Sequence, residues 1–104
     1  MIAGSSRANG GNGAAPPDPY DALDFPCRFE IKVMGRSSNR FSALVASIFT
    51  RHLREREDLL QVLEKYSRRR NYVSVTYVIR ARHKEQLRAI YLDLSRCDAV
   101  LMAL

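Results

Sequence analysis

The sequence predicts a single α+β domain in which strands and helices follow in the order β-α-β-β-α-β. Three observations support this prediction. Apolar residues alternate with polar ones in FPCRFEIKVMG (25–35), they alternate again in YVSVTYVIRA (72–81), and each of these stretches is followed by a segment with apolar residues at every third or fourth position. Alternation is typical of a half-buried strand, and the longer spacing is typical of an amphipathic helix. Right-handed crossovers then give a four-stranded antiparallel sheet of order 4-1-3-2 with both helices on one face.

The first strand and the first helix come from residues 25 to about 52. Phe29, Ile31 and Val33 would share the buried face of the strand, which leaves charged residues on its other face. The apolar stripe further on predicts a helix from Phe41 to about His52. The polar turn between them offers three candidates for the helix N-cap, namely Ser37, Ser38 and Asn39.

A hairpin and a second helix follow. Residues 59–66 are typical of a weak strand, and residues 72–81 are typical of a strong one. The sequence SRRRN separates them as a hairpin tip, in which Asn71 is expected to take the left-handed conformation. Apolar residues then recur at helical spacing from about Lys84 to Ser95.

Alternation returns at the end of the sequence and predicts the fourth strand. Its inward positions would be Val100, Met102 and Leu104. Its outward positions would be Ala99, Leu101 and Ala103. This strand is an edge in the predicted order and its outward residues carry no protecting charge. It is therefore the candidate subunit edge, where a second copy of the chain could pair to form a homodimer.

The first 24 residues differ in composition from the rest. They are rich in Gly, Ala, Ser, Asn and Pro without apolar periodicity, which predicts a disordered tail over residues 1–24 and a folded domain over residues 25–104. Of the 17 basic and 11 acidic residues in the chain, 16 and 8 lie in the domain, which gives it a formal charge of +8. This surplus favours contact with phosphates, anionic ligands or acidic protein surfaces, without choosing among them.

A cytoplasmic location is expected. No apolar run approaches the ~20 residues that a membrane helix needs, and the amino-terminal residues lack the layout of a secretory signal. The two cysteines lie far apart in the sequence, which fits a reducing compartment better than a disulfide framework.

Several motifs carry a resemblance to a known family. FPCRFEIKVMG, Arg51-His52, NYVSVTYVIRA and DAVLMAL occur in the order, and at nearly the spacing, of the YbeD-like family of small bacterial proteins, which residues 25–104 resemble. The resemblance implies a ferredoxin-like fold similar to the ACT regulatory domains, which often associate side by side and bind small ligands between subunits. The family is sometimes labelled a lipoate regulatory protein and has no established catalytic residues, so the resemblance implies none here. This chain differs by a longer stretch between Arg54 and Arg70.

In the predicted fold, the loops at one end of the sheet bring six arginines together. They are Arg36, Arg40, Arg68, Arg69, Arg70 and Arg96, and we call them the arginine rim. Guanidinium forks match the geometry of carboxylates and phosphates, so the rim is a candidate site for an anion or an acidic partner. The alternative is that these loop arginines only meet water.

Two other classes of function have less support in the sequence. RNA binding by the sheet needs aromatic side chains on the open face of the central strands, where only Tyr72 is expected. Cys27, His52 and His83 would lie toward the opposite end of the sheet and have the donor atoms that zinc takes, but no pair of them has the usual ligand spacing. We therefore expect no catalytic residues, no cofactor and no bound metal.

The sequence favours a small non-catalytic regulatory or interaction domain that binds a partner protein or a small anionic metabolite. The alternative is a nucleic-acid-associated protein that uses the arginine rim. Salt-sensitive binding to oligonucleotides distinguishes the second function from the first.

Overall fold

The protein forms one four-stranded antiparallel sheet with two helices on one of its faces. A computed structural model describes residues 18–104. The strand order is β2-β3-β1-β4, which is the predicted order read from the opposite edge. Within the described residues, neither helix is long and apolar enough to cross a membrane. The elements are β1 (Cys27–Arg36), α1 (Phe41–His52), β2 (Leu59–Tyr66), β3 (Tyr72–Ala81), α2 (Lys84–Ser95) and β4 (Val100–Ala103), with short 3₁₀ turns at Pro19–Ala22 and Arg56–Asp58.

The core lies between the helices and the central strands β1 and β3. These two strands pair along their whole length, from Cys27 opposite Ala81 to Arg36 opposite Tyr72. Their inward side chains meet the apolar stripes of α1 and α2, and the rings of Phe49 and Tyr77 stack with centroids 4.0 Å apart. The fully buried members are Ile31, Val33, Val45, Ile79, Ala81, Leu87, Ile90 and Leu94. The predicted inward faces of both strands and both helices are confirmed.

The helices begin at the predicted residues, but the first one lacks the predicted cap. Arg40 occupies the N-cap position of α1 without a side-chain hydrogen bond. Ser38 instead accepts a hydrogen bond from the Arg40 backbone N–H at 3.3 Å, because the turn places this serine two residues before the cap. In α2 the cap is His83, whose Nδ1 accepts from the Gln86 backbone N–H at 3.2 Å.

The hairpin tip takes its left-handed conformation at Arg70, with φ of 61°, and the prediction of Asn71 for this role is wrong. Ser67 explains the shift. Its carbonyl accepts from the Arg70 N–H at 2.8 Å, and its hydroxyl accepts from the Tyr72 N–H at 3.0 Å. These bonds close the turn at Arg70 and leave Asn71 to receive the Ser37 N–H on its carbonyl at 2.9 Å.

A β-bulge in β4 changes which of its side chains face the core. Met34 pairs with Met102 and Gly35 pairs with Val100, so Leu101 is an extra residue between two register positions. A bulge reverses the alternation beyond it, because the side-chain period of a strand is two. Leu101 and Met102 therefore both lie on the open face, while Ala103, opposite buried Val33, returns to the core side.

Four of the six orientations predicted for residues 99–104 are wrong, and the bulge accounts for three of them, those of Met102, Ala103 and Leu104. Val100 is inward and Leu101 is outward, as predicted. Met102 and Leu104 were expected to be inward, but they are 49% and 63% exposed. Ala99 and Ala103 were expected to be outward, but both pack against the core. Of the candidate subunit edge, only Leu101 presents its side chain outward, at 58% exposure.

Residues 18–24 pack against the domain, whereas the sequence predicted a disordered tail that extends to residue 24. Asp18 caps the 3₁₀ turn by accepting from the Tyr20 backbone N–H at 2.9 Å. Tyr20 and Leu23 pack against the core, and the Tyr20 ring contacts Phe29 edge-to-face at 6.3 Å. These two apolar side chains bury part of the segment against the domain. The predicted disorder of residues 1–17 lies outside the described residues.

Gly35 allows the close approach of β4 and α1 to β1. A Cβ atom at this position would lie 2.2 Å from Phe41 Cε1 and 2.5 Å from the Ala99 carbonyl oxygen. One of these neighbours is backbone and the other is a buried ring. A side chain at this position would therefore force one of these two neighbours to shift.

We expect Gly35→Ala to lower the free energy of unfolding by about 3 kcal/mol, because overpacking at this point separates β4 or α1 from β1. Urea denaturation followed by circular dichroism measures the change. Ser74→Ala on the neighbouring strand is the matched control and should change stability by less than about 0.5 kcal/mol. Equal stability of the two variants would contradict the role of Gly35.

Candidate functional site

The open face of the sheet, opposite the helices, carries a groove of about 450 Å³. It lies toward the end of the sheet where β1 ends and β3 begins, and all four strands or their ends contribute to it. Its lining residues are Lys32, Met34, Lys65, Tyr66, Ser67, Tyr72, Val73, Ser74, Leu101 and Met102.

The floor of the groove is apolar because of the bulge in β4. Met34 on β1 stands opposite Met102, and the bulge adds Leu101 to the same face. Without the bulge, an alternating strand would place only one of these two β4 side chains on the open face. Three large, flexible apolar side chains therefore meet at one point of an otherwise polar surface.

Basic side chains flank this apolar floor. Lys32 and Lys65 both line the groove, from β1 and β2. Arg36 lies two residues beyond Met34 on β1, and its guanidinium stands 5.7 Å from the centre of the Tyr72 ring. Because ammonium and guanidinium groups bind carboxylates and phosphates through charge-assisted hydrogen bonds, the groove is suited to a ligand with an apolar body and an anionic group.

The structure places the arginine rim at the end of the sheet next to the groove. Arg36 pairs with Tyr72 in the sheet, and Arg70 stacks over Tyr66 at 4.2 Å from the ring centre. The Ser37 N–H bond to the Asn71 carbonyl ties the loop after β1 to the hairpin tip. Arg40 and Arg96 cap α1 and α2 at the same end. Within residues 18–104, none of the six arginines has an acidic partner within 4.0 Å.

The opposite end of the sheet holds the charges that are paired. Asp58 is fully buried and receives two hydrogen bonds from Arg82, from Nε at 2.8 Å and from Nη2 at 2.9 Å. The Glu55 backbone N–H donates to the same carboxylate at 3.3 Å. The hydrogen bonds from Arg82 lower the pKa of the Asp58 carboxyl below its usual value, against the opposing effect of burial.

Gln86 connects this ion pair to the ends of both helices. Its side-chain oxygen accepts from the Arg82 backbone N–H at 2.8 Å, and its Nε2 donates to the His52 carbonyl at 2.7 Å. His52 Nε2 in turn lies 2.6 Å from Asp93 Oδ2, and this contact lowers the pKa of the Asp93 carboxyl. The network joins residues far apart in sequence and fixes the start of α2 against the end of α1.

The two histidines among the candidate zinc donors have other contacts in the structure. His52 bonds Asp93, His83 caps α2, and Cys27 is a free, partly buried thiol at the start of β1. No three His, Cys, Asp or Glu side chains in residues 18–104 come together as metal ligands. Among the open-face residues of β1 and β3, Tyr72 alone has an aromatic ring on which a base could stack. The guanidinium of Arg36 lies over that ring.

Two features of these surfaces were missed from the sequence. Apart from Gly35, the sequence gives no local signal for the bulge. All five residues of VLMAL (100–104) are apolar, so either set of alternate positions could face the core. The Asp58–Arg82 pair joins residues 24 positions apart, which no spacing rule connects. The position of Asp58, directly before the weakly patterned strand β2, gave no hint of its burial and does not identify its partner.

Comparison with known proteins gives one matching family. The sequence pattern of the family described as "Protein of unknown function (DUF493)" matches residues 21–104. A UPF0250 protein of Ectopseudomonas mendocina is 39% identical over 83 residues, which cover 79% of this chain and 89% of that protein. A second UPF0250 protein, from Pectobacterium carotovorum, is 37% identical over 84 residues, which cover 81% and 93%.

Solved structures confirm the fold. A protein from H. pylori, determined in solution, has a TM-score of 0.64 at 14% identity over 86% of this chain and 98% of its own. The ACT domain from a GTP pyrophosphokinase of Chlorobium tepidum has a TM-score of 0.58 at 10% identity over 74% and 84%. At these identities the likeness shows a shared ferredoxin-like, ACT-like fold.

We expect the paired carboxylates to make the fold sensitive to acid. Asp58 and Asp93 have lowered pKa values in the folded state, so the stability that they contribute is present above about pH 4 and is lost as pH falls through the folded values. Asp58→Asn should lower the Tm at pH 6 by about 10 °C, because it leaves Arg82 without its charged partner.

Thermal unfolding between pH 7 and pH 3 measures this effect. The Tm of Asp58→Asn should fall less steeply with acid than that of the wild type. Glu57→Gln, an exposed neighbour, is the control and should follow the wild-type curve. Parallel curves for Asp58→Asn and wild type would contradict the account.

Proposed function

The chain belongs to the DUF493 family, also named UPF0250 and here recognised as YbeD-like, and we propose that it is a small non-catalytic binding domain. Its open sheet face binds an anionic metabolite that also has an apolar part. The resemblance to the ACT regulatory domains supports a regulatory use of such binding.

The observation that carries the proposal is the composition of the groove. An apolar floor of Met34, Leu101 and Met102 lies between Lys32 and Lys65, beside arginines without acidic partners in the described residues. A volume of about 450 Å³ is within the range of sites for small molecules. The apolar floor would contribute burial, and the cations would orient the anionic group.

The lining of the groove supports binding rather than catalysis. It contains no His, Cys, Asp or Glu, which are the side chains that most often act as general bases or activated nucleophiles. The polar side chains that line it are those of lysine, serine and tyrosine. The function is thus proposed as recognition of the ligand and transmission of its presence to a partner.

A second copy of the chain would extend the groove at the β4 edge. Residues 99–104 have no charged side chain, and the exposed side chains of Leu101, Met102 and Leu104 lie along this edge. The other edge, β2, also exposes apolar side chains, but Glu64 and Lys65 interrupt it with charge. Because charged residues on an edge oppose strand pairing, β4 is the better candidate for pairing between copies.

Nucleic acid is the alternative ligand, through the arginine rim. The rim is basic and adjacent to the groove, and its stacked Arg70 and Arg36 are held in place by tyrosines. However, Tyr72 is the single aromatic residue that β1 and β3 offer on the open face for base stacking. The rim therefore fits a contact to phosphates better than a reading of bases.

We expect 8-anilinonaphthalene-1-sulfonate, a probe with apolar rings and one anionic group, to bind in the groove. Lys32→Ser with Lys65→Ser should weaken its binding by about tenfold, because the sulfonate loses its charge-assisted bonds. Titration followed by amide chemical shifts measures both affinity and location. Arg28→Ser, on the open face outside the groove, is the control for loss of charge.

Equal affinity of the groove variant and the wild type would remove the proposed site. A single-stranded oligonucleotide should bind weakly, and its affinity should be the same for the wild type and for the Lys32→Ser, Lys65→Ser variant. Tight, salt-sensitive oligonucleotide binding that Arg68→Ser, Arg69→Ser and Arg70→Ser abolish would instead support the alternative.

We expect a homodimer that Leu101→Asp dissociates, because the substitution places a charge in the uncharged β4 edge. The dissociation constant should rise by at least about tenfold in sedimentation equilibrium. Leu63→Asp on β2 is the matched control, since Leu63 is exposed to a similar extent, 50% against 58% for Leu101. A monomeric wild type, or dissociation by Leu63→Asp alone, would contradict pairing at β4.

A further inference from the structure

A second surface lies on the helix side of the sheet, away from the groove. Residues 18–23, which we call the N-terminal strap, are bound there to α2 and to β1. Asp18 forms ion pairs with Arg88 and with Lys84, the latter at 3.7 Å. Asp21 bonds the Lys84 ammonium at 2.9 Å.

The receiving surface on α2 is a regular stripe. Lys84, Arg88 and Tyr91 are separated by four and three residues, so they share one side of the helix. Two like charges at this spacing repel each other unless an anion lies between them. The carboxylates of the strap provide that anion, and the stripe is therefore built to hold acidic groups.

An aromatic contact lies between the two carboxylates of the strap. The Tyr20 ring meets Phe29 edge-to-face, with centroids 6.3 Å apart. Tyr91, three residues after Arg88 on α2, is partly buried and packs against the same core as Tyr20. The surface thus recognises a pattern of acid, aromatic and acid within four residues.

The ionic contacts of the strap are open to solvent on the α2 side, whereas the Asp18 side chain is 17% exposed. The Arg88 and Asp21 side chains are more than half exposed, and Lys84 is one-third exposed. Exposed ion pairs contribute little and weaken with salt. On β1 the strap contacts Phe29, in the first half of the strand. The end of the chain pairs only with the second half, at residues 32–35.

We propose that the stripe of Lys84, Arg88 and Tyr91, together with Phe29, is a docking surface for a short acidic-aromatic segment of a partner protein. The N-terminal strap occupies the surface in the absence of that partner and acts as a displaceable intramolecular ligand. The sequence DPYDAL is the template for the partner segment. This surface is independent of the open-face groove, so neither proposal rests on the other.

The first test uses a fluorescein-labelled peptide, DPYDALD, and two full-length proteins. One is the wild type, and the other has its strap emptied by Asp18→Ser, Tyr20→Ser and Asp21→Ser. The peptide should bind the emptied variant at least about tenfold more tightly, because in the wild type the attached strap competes at a high effective concentration. Adding Lys84→Glu and Arg88→Glu to the emptied variant should abolish binding, whereas adding Arg28→Glu should not.

Equal affinity for wild type and emptied variant, no binding to either at millimolar peptide, or equal binding of the peptide NPYNALD would overturn the proposal. Hydrogen exchange of the wild type is the second test and does not depend on a folded variant. The strap amides of Asp21 and Leu23 should exchange faster than those of β1 and β3, and excess peptide should accelerate them. Exchange of these two amides only with global unfolding would show a permanent structural clamp and would also overturn the proposal.

Discussion

The pairing of β1 with β3 over ten residue pairs is the constraint on which the rest of the structure depends. It fixes the alternation of both central strands, so that one face is sealed by α1 and α2 and the other stays open. It also fixes both ends of the sheet, because Arg36 must then lie beside Tyr72 and Cys27 beside Ala81. The groove and the arginine rim both take their positions from this register.

The two ends of the sheet use charge in different ways. At one end, Asp58, Arg82, Gln86 and Asp93 form a network in which the ionic groups have partners and join elements distant in sequence. At the other end, the arginine rim has no acidic partner within residues 18–104, and two of its members stack on tyrosines instead. Loss of one partner from a paired, buried charge destabilises a fold, whereas arginines without a counterion are available to a ligand.

Most of the fold could be predicted from the sequence because its elements are strongly periodic. The bounds of β2, β3, α1 and α2 follow from apolar spacing, and the crossover rule supplies the strand order. What could not be predicted depends on contacts between distant residues. The β4 bulge arises where Gly35 meets Val100, and it reverses the orientation of Met102, Ala103 and Leu104. The N-terminal strap is ordered by Lys84 and Arg88, which lie more than sixty positions away.

The same reasons explain how much of the candidate site was visible in advance. The arginine rim follows from topology, but its neighbouring apolar floor exists only because the bulge turns Leu101 and Met102 to one face beside Met34. Intermolecular nuclear Overhauser effects between the 8-anilinonaphthalene-1-sulfonate probe and methyl-labelled protein test the central claim most directly. The account predicts contacts from the probe rings to the methyl groups of Met34, Leu101 and Met102. Contacts confined to Leu92 on α2 or to the β2 side chains, with none to these three residues, would contradict it.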